Sequence, residues 1–280
     1  MRNRILAGLG VAALATVGVA APANAVSDTT ADVWVVHAVP GLTVDVYLNG
    51  ALTLEDFEPG TFEAIVDAEP GQYIVDIVAA DAAAPAAGTS DITYTATVEA
   101  GVSYTLVAQP SESADGNPVT IQPFVNDLDA VGDGEASVTV RHTANAPEVN
   151  VVAEGVGALF SGLRNAPDAN EQSGAVPAGT YDIAVQVAEG GATAIDLSGT
   201  TLAAGTHYFI HAFGPAGGPY SPIVFTISDT PANVPAGSAG LVAENGTDTT
   251  ALIAGAAALL ALLAAAGVVV ARRRTASVER

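Results

Sequence analysis

The side chains able to do chemistry are of few kinds. Four histidines, His37, His142, His207 and His211, are the candidates for transition-metal binding or proton transfer. His207 and His211 lie four residues apart in a segment of strand character. They therefore share a face but sit roughly 13 Å from one another. A zinc ion with ligand bonds near 2 Å, roughly, does not span that gap. His37 and His142 recur at the same register of a sequence repeat and so fall in different domains. The expectation for each histidine is a ring nitrogen bonded to backbone at a strand end.

Oxygen ligands cluster once. The segment Asn126-Asp127-x-Asp129-x-x-x-Asp133-Gly134-Glu135 offers Asn126, Asp127, Asp129, Asp133 and Glu135 as candidate calcium ligands at a domain junction. The spacing does not match an EF-hand loop, and a solvated acidic linker accounts for it equally well. Carboxylates are plentiful enough that a pair for glycoside hydrolysis is conceivable, yet no pair is singled out by spacing. There is no Gly-x-Ser-x-Gly elbow and no His-Glu-x-x-His. Ala236-Gly237-Ser238-Ala239-Gly240 lacks the elbow's first glycine. No catalytic residue and no cofactor other than calcium is assigned.

Composition narrows the classes further. The 280 residues carry 30 acidic and 8 basic side chains, a formal charge of −22, and all eight bases are arginine. Without lysine there is no P-loop nucleotide site and no Schiff-base chemistry. Without cysteine there is no disulfide framework, zinc ribbon or thiol nucleophile. Between residues 26 and 250 only Arg141 and Arg164 offset 29 acids, a net of −27. Such a surface repels nucleic acid and anionic lipid, so no nucleic-acid partner is expected.

The two ends read as addresses. Residues 1–25 have Arg2 and Arg4, an apolar run from Ile5 to Val19, and Ala23-Asn24-Ala25, the pattern of a signal peptide cleaved after Ala25. Residues 251–271 are uncharged over 21 residues, about 31 Å as a helix, and long enough to cross a membrane. Arg272-Arg273-Arg274 follow and place residues 272–280 in the cytoplasm. Just upstream, Val242-Ala243-Glu244-Asn245-Gly246 resembles the sorting pentapeptide of Gram-positive surface proteins. It departs from the Leu-Ala-x-Thr-Gly form at Val242 and at Asn245, the position a sortase would attack. The resemblance makes a sortase a candidate partner and leaves two outcomes: wall attachment, or retention as a single-span membrane protein with the ectodomain outside.

The chain between these ends is patterned for β structure. Short Val/Ile/Thr/Tyr runs are bounded by Gly, Pro, Asn and Asp. Tyr181, Ile183, Val185 and Val187 alternate with more polar neighbours, as do Val44, Val46 and Leu48, which run into Asn49-Gly50, a type I′ hairpin signal. The pattern repeats. Val36-His37-Ala38 and Val44-Asp45-Val46 answer to Arg141-His142-Thr143 and Val149-Asn150-Val151. Pro70-Gly71-Gln72-Tyr73 answers to Ala178-Gly179-Thr180-Tyr181, and Ala100-Gly101-Val102-Ser103-Tyr104 to Ala204-Gly205-Thr206-His207-Tyr208. Four matches in order specify a tandem duplication.

The fold class is therefore all-β: two tandem immunoglobulin-like β-sandwich domains of about seven strands each, plus the N-terminal signal peptide and C-terminal transmembrane helix. The first sandwich is assigned to 26–128, an acidic linker to 129–136, the second sandwich to 137–230 and a further linker to 231–250. Tyr104 and Tyr208 are expected to pack inside with their hydroxyls on backbone. Recognition loops are expected at Ala38–Leu42, Ala79–Asp91, Ser161–Gly174 and Gly214–Ser221.

The motifs Val36–Pro40, Val44–Tyr47, Pro70–Tyr73 and Ala100–Thr105 together resemble the bacterial domain of unknown function 4397. The second copy departs from it with Asn150 for aspartate and Val152 for tyrosine. The resemblance implies envelope-exposed β-sandwich modules, often in tandem, and implies no activity. The resulting expectation is a surface-anchored, non-catalytic binding or spacer module facing an extracellular ligand or wall component. A calcium-stiffened adhesin and an envelope hydrolase with paired carboxylates are the alternatives.

Overall fold

The computed structural model describes residues 26–111 and 118–228, and every regular element within them is a β-strand. The expected signal peptide, the 231–250 linker with Val242–Gly246, the membrane span at 251–271 and the tail at 272–280 lie outside the described residues. Among those described, no helix is long and apolar enough to cross a membrane.

The first copy contains β1 (Ala31–His37), β2 (Val44–Leu48), β3 (Ala51–Phe57), β4 (Phe62–Ala68), β5 (Gly71–Ala79), β6 (Ile92–Val98), β7 (Ser103–Pro110) and β8 (Val119–Val125). The second contains β9 (Glu135–His142), β10 (Val149–Ala153), β11 (Gly157–Leu163), β12 (Glu171–Pro177), β13 (Gly179–Val187), β14 (Thr193–Leu202), β15 (Thr206–Phe213) and β16 (Ser221–Ser228). Each copy thus has eight strands, one more than the turn signals suggested. In the first, sheet β4-β1-β7-β8 faces sheet β3-β2-β5-β6; in the second, β12-β9-β15-β16 faces β11-β10-β13-β14. The orders are identical once eight is added to each number. Even the parallel pairs correspond, β1 with β7 and β9 with β15. The duplication seen in sequence is a duplication of topology.

Local chemistry explains the elements. Asn49 and Gly50 have φ of 51° and 81°, so the two-residue turn between β2 and β3 takes the type I′ form whose twist suits a hairpin. Ile183 and Val185 are buried on β13, with Tyr181 and Val187 half-buried on the same face and Asp182 exposed on the other. Each sandwich closes its own core: Val33, Val46, Val75 and Val98 in the first, Val138, Phe160, Ile183 and Leu202 in the second.

A third apolar cluster lies between the copies. Trp34, Val36 and Val107 of β1 and β7 meet Phe209, Ile223 and Phe225 of β15 and β16, joined by Phe124 of β8. Trp34 stacks on Phe225 at 4.3 Å between centroids with 4° between planes. The sheets β4-β1-β7-β8 and β12-β9-β15-β16 are therefore covered on both faces, by a partner sheet on one side and by the other copy on the other. Both sandwiches fall in one compact unit.

Candidate functional site

The repeated motif residues come first, because repetition shows what each does. His37 Nε2 lies 2.7 Å from the carbonyl oxygen of Leu42, and His142 Nε2 lies 3.0 Å from that of Pro147. Each ring donates from the end of the first strand of its copy to the loop five residues on, as expected for strand-end histidines. Asp45 Oδ1 accepts the backbone N–H of Asp56 at 2.9 Å, and Asn150 Oδ1 accepts that of Gly162 at 3.0 Å. Asp56 and Gly162 both have positive φ, 53° and 74°, at irregularities in the β2–β3 and β10–β11 ladders. An acceptor oxygen is all that is required there, which is why asparagine replaces aspartate in the second copy.

The tyrosines follow the same logic. Tyr73 and Tyr181 donate to the carbonyls of Glu69 and Pro177 at 2.7 and 2.8 Å, pinning the turn before β5 and β13. Tyr104 and Tyr208 pack at the cores while their hydroxyls accept the N–H groups of Glu99 and Ala203. The shared motifs are fasteners of the sandwich. The copies differ elsewhere.

The sharpest difference is Arg141, which occupies the repeat position of Val36. It is fully buried. Its Nε donates to Glu171 Oε2 at 2.6 Å, Nη2 to Asn126 Oδ1 at 2.9 Å, and Nη1 to His211 Nε2 at 3.4 Å. Sheet register sets this row, since Arg141 is paired with Glu171 on β12 and with His211 on β15. The guanidinium lies over Phe124, with Cζ 4.4 Å from the ring centroid, and within 5.2 Å of that of Phe209. Asn126 belongs to the first copy, just after β8. Its oxygen also accepts the Thr105 hydroxyl at 2.8 Å, and its amide donates to Ser103 Oγ at 2.9 Å. A second crossing is made by Gln109 Nε2 to Asn165 Oδ1 at 2.8 Å, with Asn165 Nδ2 donating to the Pro110 carbonyl.

Burial lowers the Arg141 pKa while the Glu171 carboxylate pulls it back up, and an arginine so paired stays cationic at neutral pH. His211 is driven well below its ordinary pKa, by burial first and by the Arg141 charge second. It is thus neutral, as it must be to accept an arginine N–H. His37 is also lowered, by burial, with its bond to Leu42 opposing. Asp76 is buried in the first sandwich, and burial alone would raise its pKa. Donation from Gly88 N–H, the Ser90 hydroxyl and Ser90 N–H outweighs that and holds it low.

The candidate calcium ligands at the junction lie in different settings. Asn126 faces Arg141, a cation, rather than an open loop. Asp127 Oδ1 accepts the backbone N–H of Asp129 at 3.0 Å, Asp133 is exposed, and Glu135 already lies in β9 rather than in a linker. Among the described residues no group of three or more His, Cys, Asp or Glu is placed to hold a metal ion. The expected loop Ser161–Gly174 is shorter than anticipated, because Ser161–Leu163 end β11 and Glu171–Gly174 begin β12.

The larger cavities are apolar. One of about 120 Å³ lies between the sheets of the first sandwich, and another of about 150 Å³ adjoins it at the β6–β8 side. Val33, Ala96, Val98 and Leu106 border both. Neither is lined by an acidic residue.

The fold and its fasteners define a class: tandem eight-stranded sandwiches fused through their β1- and β9-containing sheets. Residues 31–152 match the family described as domain of unknown function (DUF4397). The match takes in the first sandwich with β9 and β10, and hence all four motifs of the first copy together with His142 and Asn150. No protein of curated function matches the chain.

Proposed function

We propose that the chain is a non-catalytic, surface-anchored envelope protein whose two sandwiches work as one stiff module for binding or spacing. The observation that carries this reading is the buried Arg141–Asn126 crossing within a continuous aromatic seam. A flexible tandem array has no reason to bury its second-copy arginine against its first copy. Such a crossing fixes the angle between domains, the property a spacer or a two-domain binding surface needs. Support for a non-catalytic role comes from the use made of the reactive side chains. His37, His142, Arg141 and Asp76 are each spent on a bond that holds a loop, a seam or a turn. The signal at 1–25 and the apolar span at 251–271 support export and tethering, with the sortase-like Val242–Gly246 deciding between wall and membrane.

Protease treatment of intact cells, followed by fractionation, tests the placement. The reading expects a trimmed ectodomain to be shed from whole cells. It also expects the untreated chain to be released by detergent or by wall-digesting enzyme. A chain that resists external protease and fractionates with the cytoplasm would overturn it.

A further inference from the structure

We propose that the first sandwich, and not the second, is a binding site for a neutral alkyl chain held between its two sheets. The proposal rests on the cavity alone and stands independently of where the protein is anchored.

The two copies share strand order and fasteners, so their cores can be compared position by position. Across β2–β3, Val46 is paired with Leu54; across β10–β11, Val151 is paired with Phe160. On the opposing sheet, Val33 is paired with Ile65 and Val138 with Gly174. The second copy thus has a phenylalanine reaching over a glycine. A Cβ placed on Gly174 would lie 3.6 Å from Phe160 Cε1, so the ring rests directly on that strand. β11 lies closer against β12 than its counterpart β3 does against β4. A cavity of about 10 Å³ between the second pair of sheets lies toward His142 and Leu163, away from Phe160 and Gly174. In the first copy Leu54 and Ile65 leave about 120 Å³.

That space has the properties of a ligand site. Apolar cavities of roughly 150 Å³ stay dry and take up benzene or xenon. A dry void forfeits the dispersion contacts its walls would make with an occupant. The cavity reaches the surface at β3 and β4, where its lining residue Thr53 is exposed and Leu54, Ile65 and Ala68 are half-buried. Its two polar side chains are already engaged, the Thr53 hydroxyl with the Ala51 carbonyl and the Tyr73 hydroxyl with that of Glu69. No group inside waits for a polar head, so the part that enters is hydrocarbon. The adjoining space beyond Val33, Ala96, Val98 and Leu106 gives a linear chain somewhere to continue.

Charge selects the rest of the ligand. The strands at the mouth carry Glu55, Asp56, Glu63 and Asp67, all exposed, and no basic residue. A carboxylate or phosphate head approaching this edge meets like charge, whereas a neutral head does not. The class is therefore a neutral alkyl compound, either a free alcohol-like molecule or the tail of an uncharged lipid.

Photolabelling the full chain in lipid vesicles tests this. A free long-chain alcohol carrying a diazirine is used in one arm, and an uncharged lipid with the diazirine in its tail in the other. Peptides of β1–β7 are then read by mass spectrometry, with the apolar stretch 251–271 as an internal standard. Label in the first sandwich from either probe supports the site and identifies the source. Shortening the probe should weaken labelling on the order of fourfold per methylene removed. Leu54→Phe, which installs the second copy's residue, should reduce the label about tenfold or more without changing that at 251–271. Phe160→Leu should make the second sandwich newly labelled, a gain that misfolding of the first variant cannot mimic. No label from either probe, or equal label in both wild-type sandwiches, would overturn the site. A diazirine fatty acid of the same chain length serves as a charged control, and labelling by it equal to that by the alcohol would overturn the neutral selectivity.

Discussion

Arg141 of the second copy and Asn126 of the first meet at 2.9 Å across the seam, in a setting where the guanidinium has no solvent exposure. The bond has a companion at 2.6 Å to Glu171, which is partly exposed. Removing the cation leaves the Asn126 oxygen and the Glu171 carboxylate short of a donor, the costly half of breaking a buried pair. Arg141→Ala should therefore destabilise the chain by about 3–5 kcal/mol. Because either single variant already loses the bond between them, the double variant should cost less than the sum of Arg141→Ala and Asn126→Ala, although the Asn126 bonds to Thr105 and Ser103 are lost in both backgrounds. Urea denaturation of the four chains measures the cycle. Strict additivity would mean the crossing carries no energy of its own.

His211 gives the seam a pH dependence whose sign is fixed. Its folded pKa lies well below that of an unfolded histidine, about 6.5. Above that value neither state binds the proton and stability is flat. Below it the unfolded chain takes up a proton that the folded chain refuses, so stability falls as pH falls. The limiting slope is about 1.4 kcal/mol per pH unit for this one group. His37 acts in the same direction with a smaller reach, since its bond to Leu42 offsets part of its burial. Melting followed from pH 8 to pH 5 should show the decline, and His211→Gln should flatten much of it. A wild-type profile that is level through this range would exclude a neutral buried His211.

Much of the scaffold was legible because it depends on local rules. Asn49-Gly50 specified its hairpin, the alternation at Tyr181–Val187 specified a half-buried strand, and the repeat specified two copies of one topology. The seam was harder to read, since the alternation rule assigns only one face of a sheet to a core. The signal was nonetheless present. Val33-Trp34-Val35-Val36 is an unbroken apolar run, the mark of a strand covered on both faces. Arg141 in place of Val36, in a region with only one other base, was the exception within the repeat. β12 escaped for a different reason. Glu171-Gln172-Ser173-Gly174 has no apolar period, and these residues become a strand by pairing with β9 at a sheet edge. The difference between the cores lay in Phe160 against Leu54, and it became readable only once the registers were known.

The aspartate of Val44-Asp45-Val46-Tyr47 stands among the motif residues that suggest chemistry, yet its oxygen serves the backbone of Asp56. If acceptance of that N–H is its whole role, Asp45→Asn should be nearly neutral, because the second copy performs the same task with Asn150. Asp45→Ala leaves a donor unsatisfied beside a positive-φ residue and should cost about 1–3 kcal/mol. Chemical denaturation of both variants decides the matter. A large loss for Asp45→Asn would show that the charge itself is needed, and the equivalence of the copies would fail.

Salt should act on this protein in the opposite sense to its effect on one held by surface ion pairs. Twenty-nine acids against Arg141 and Arg164 between residues 26 and 250 give mainly repulsion at the surface. The ion pairs described are Arg141–Glu171, with its cation buried, and Arg164–Asp168, which is exposed. Screening acts over about 8 Å at physiological strength and reaches exposed charges far more than buried ones. Sodium chloride therefore removes repulsion while leaving the Arg141 attraction largely intact, and the melting temperature should rise from low to molar salt. Replacing Glu55, Glu58, Glu63 and Asp67 by their amides should raise the low-salt melting temperature and shrink the salt-induced rise. This pairing separates charge screening from a general salting-out effect, which the amide variant would show undiminished. A melting temperature that falls with added salt would mean that attraction between surface charges, rather than repulsion, dominates in residues 26–250.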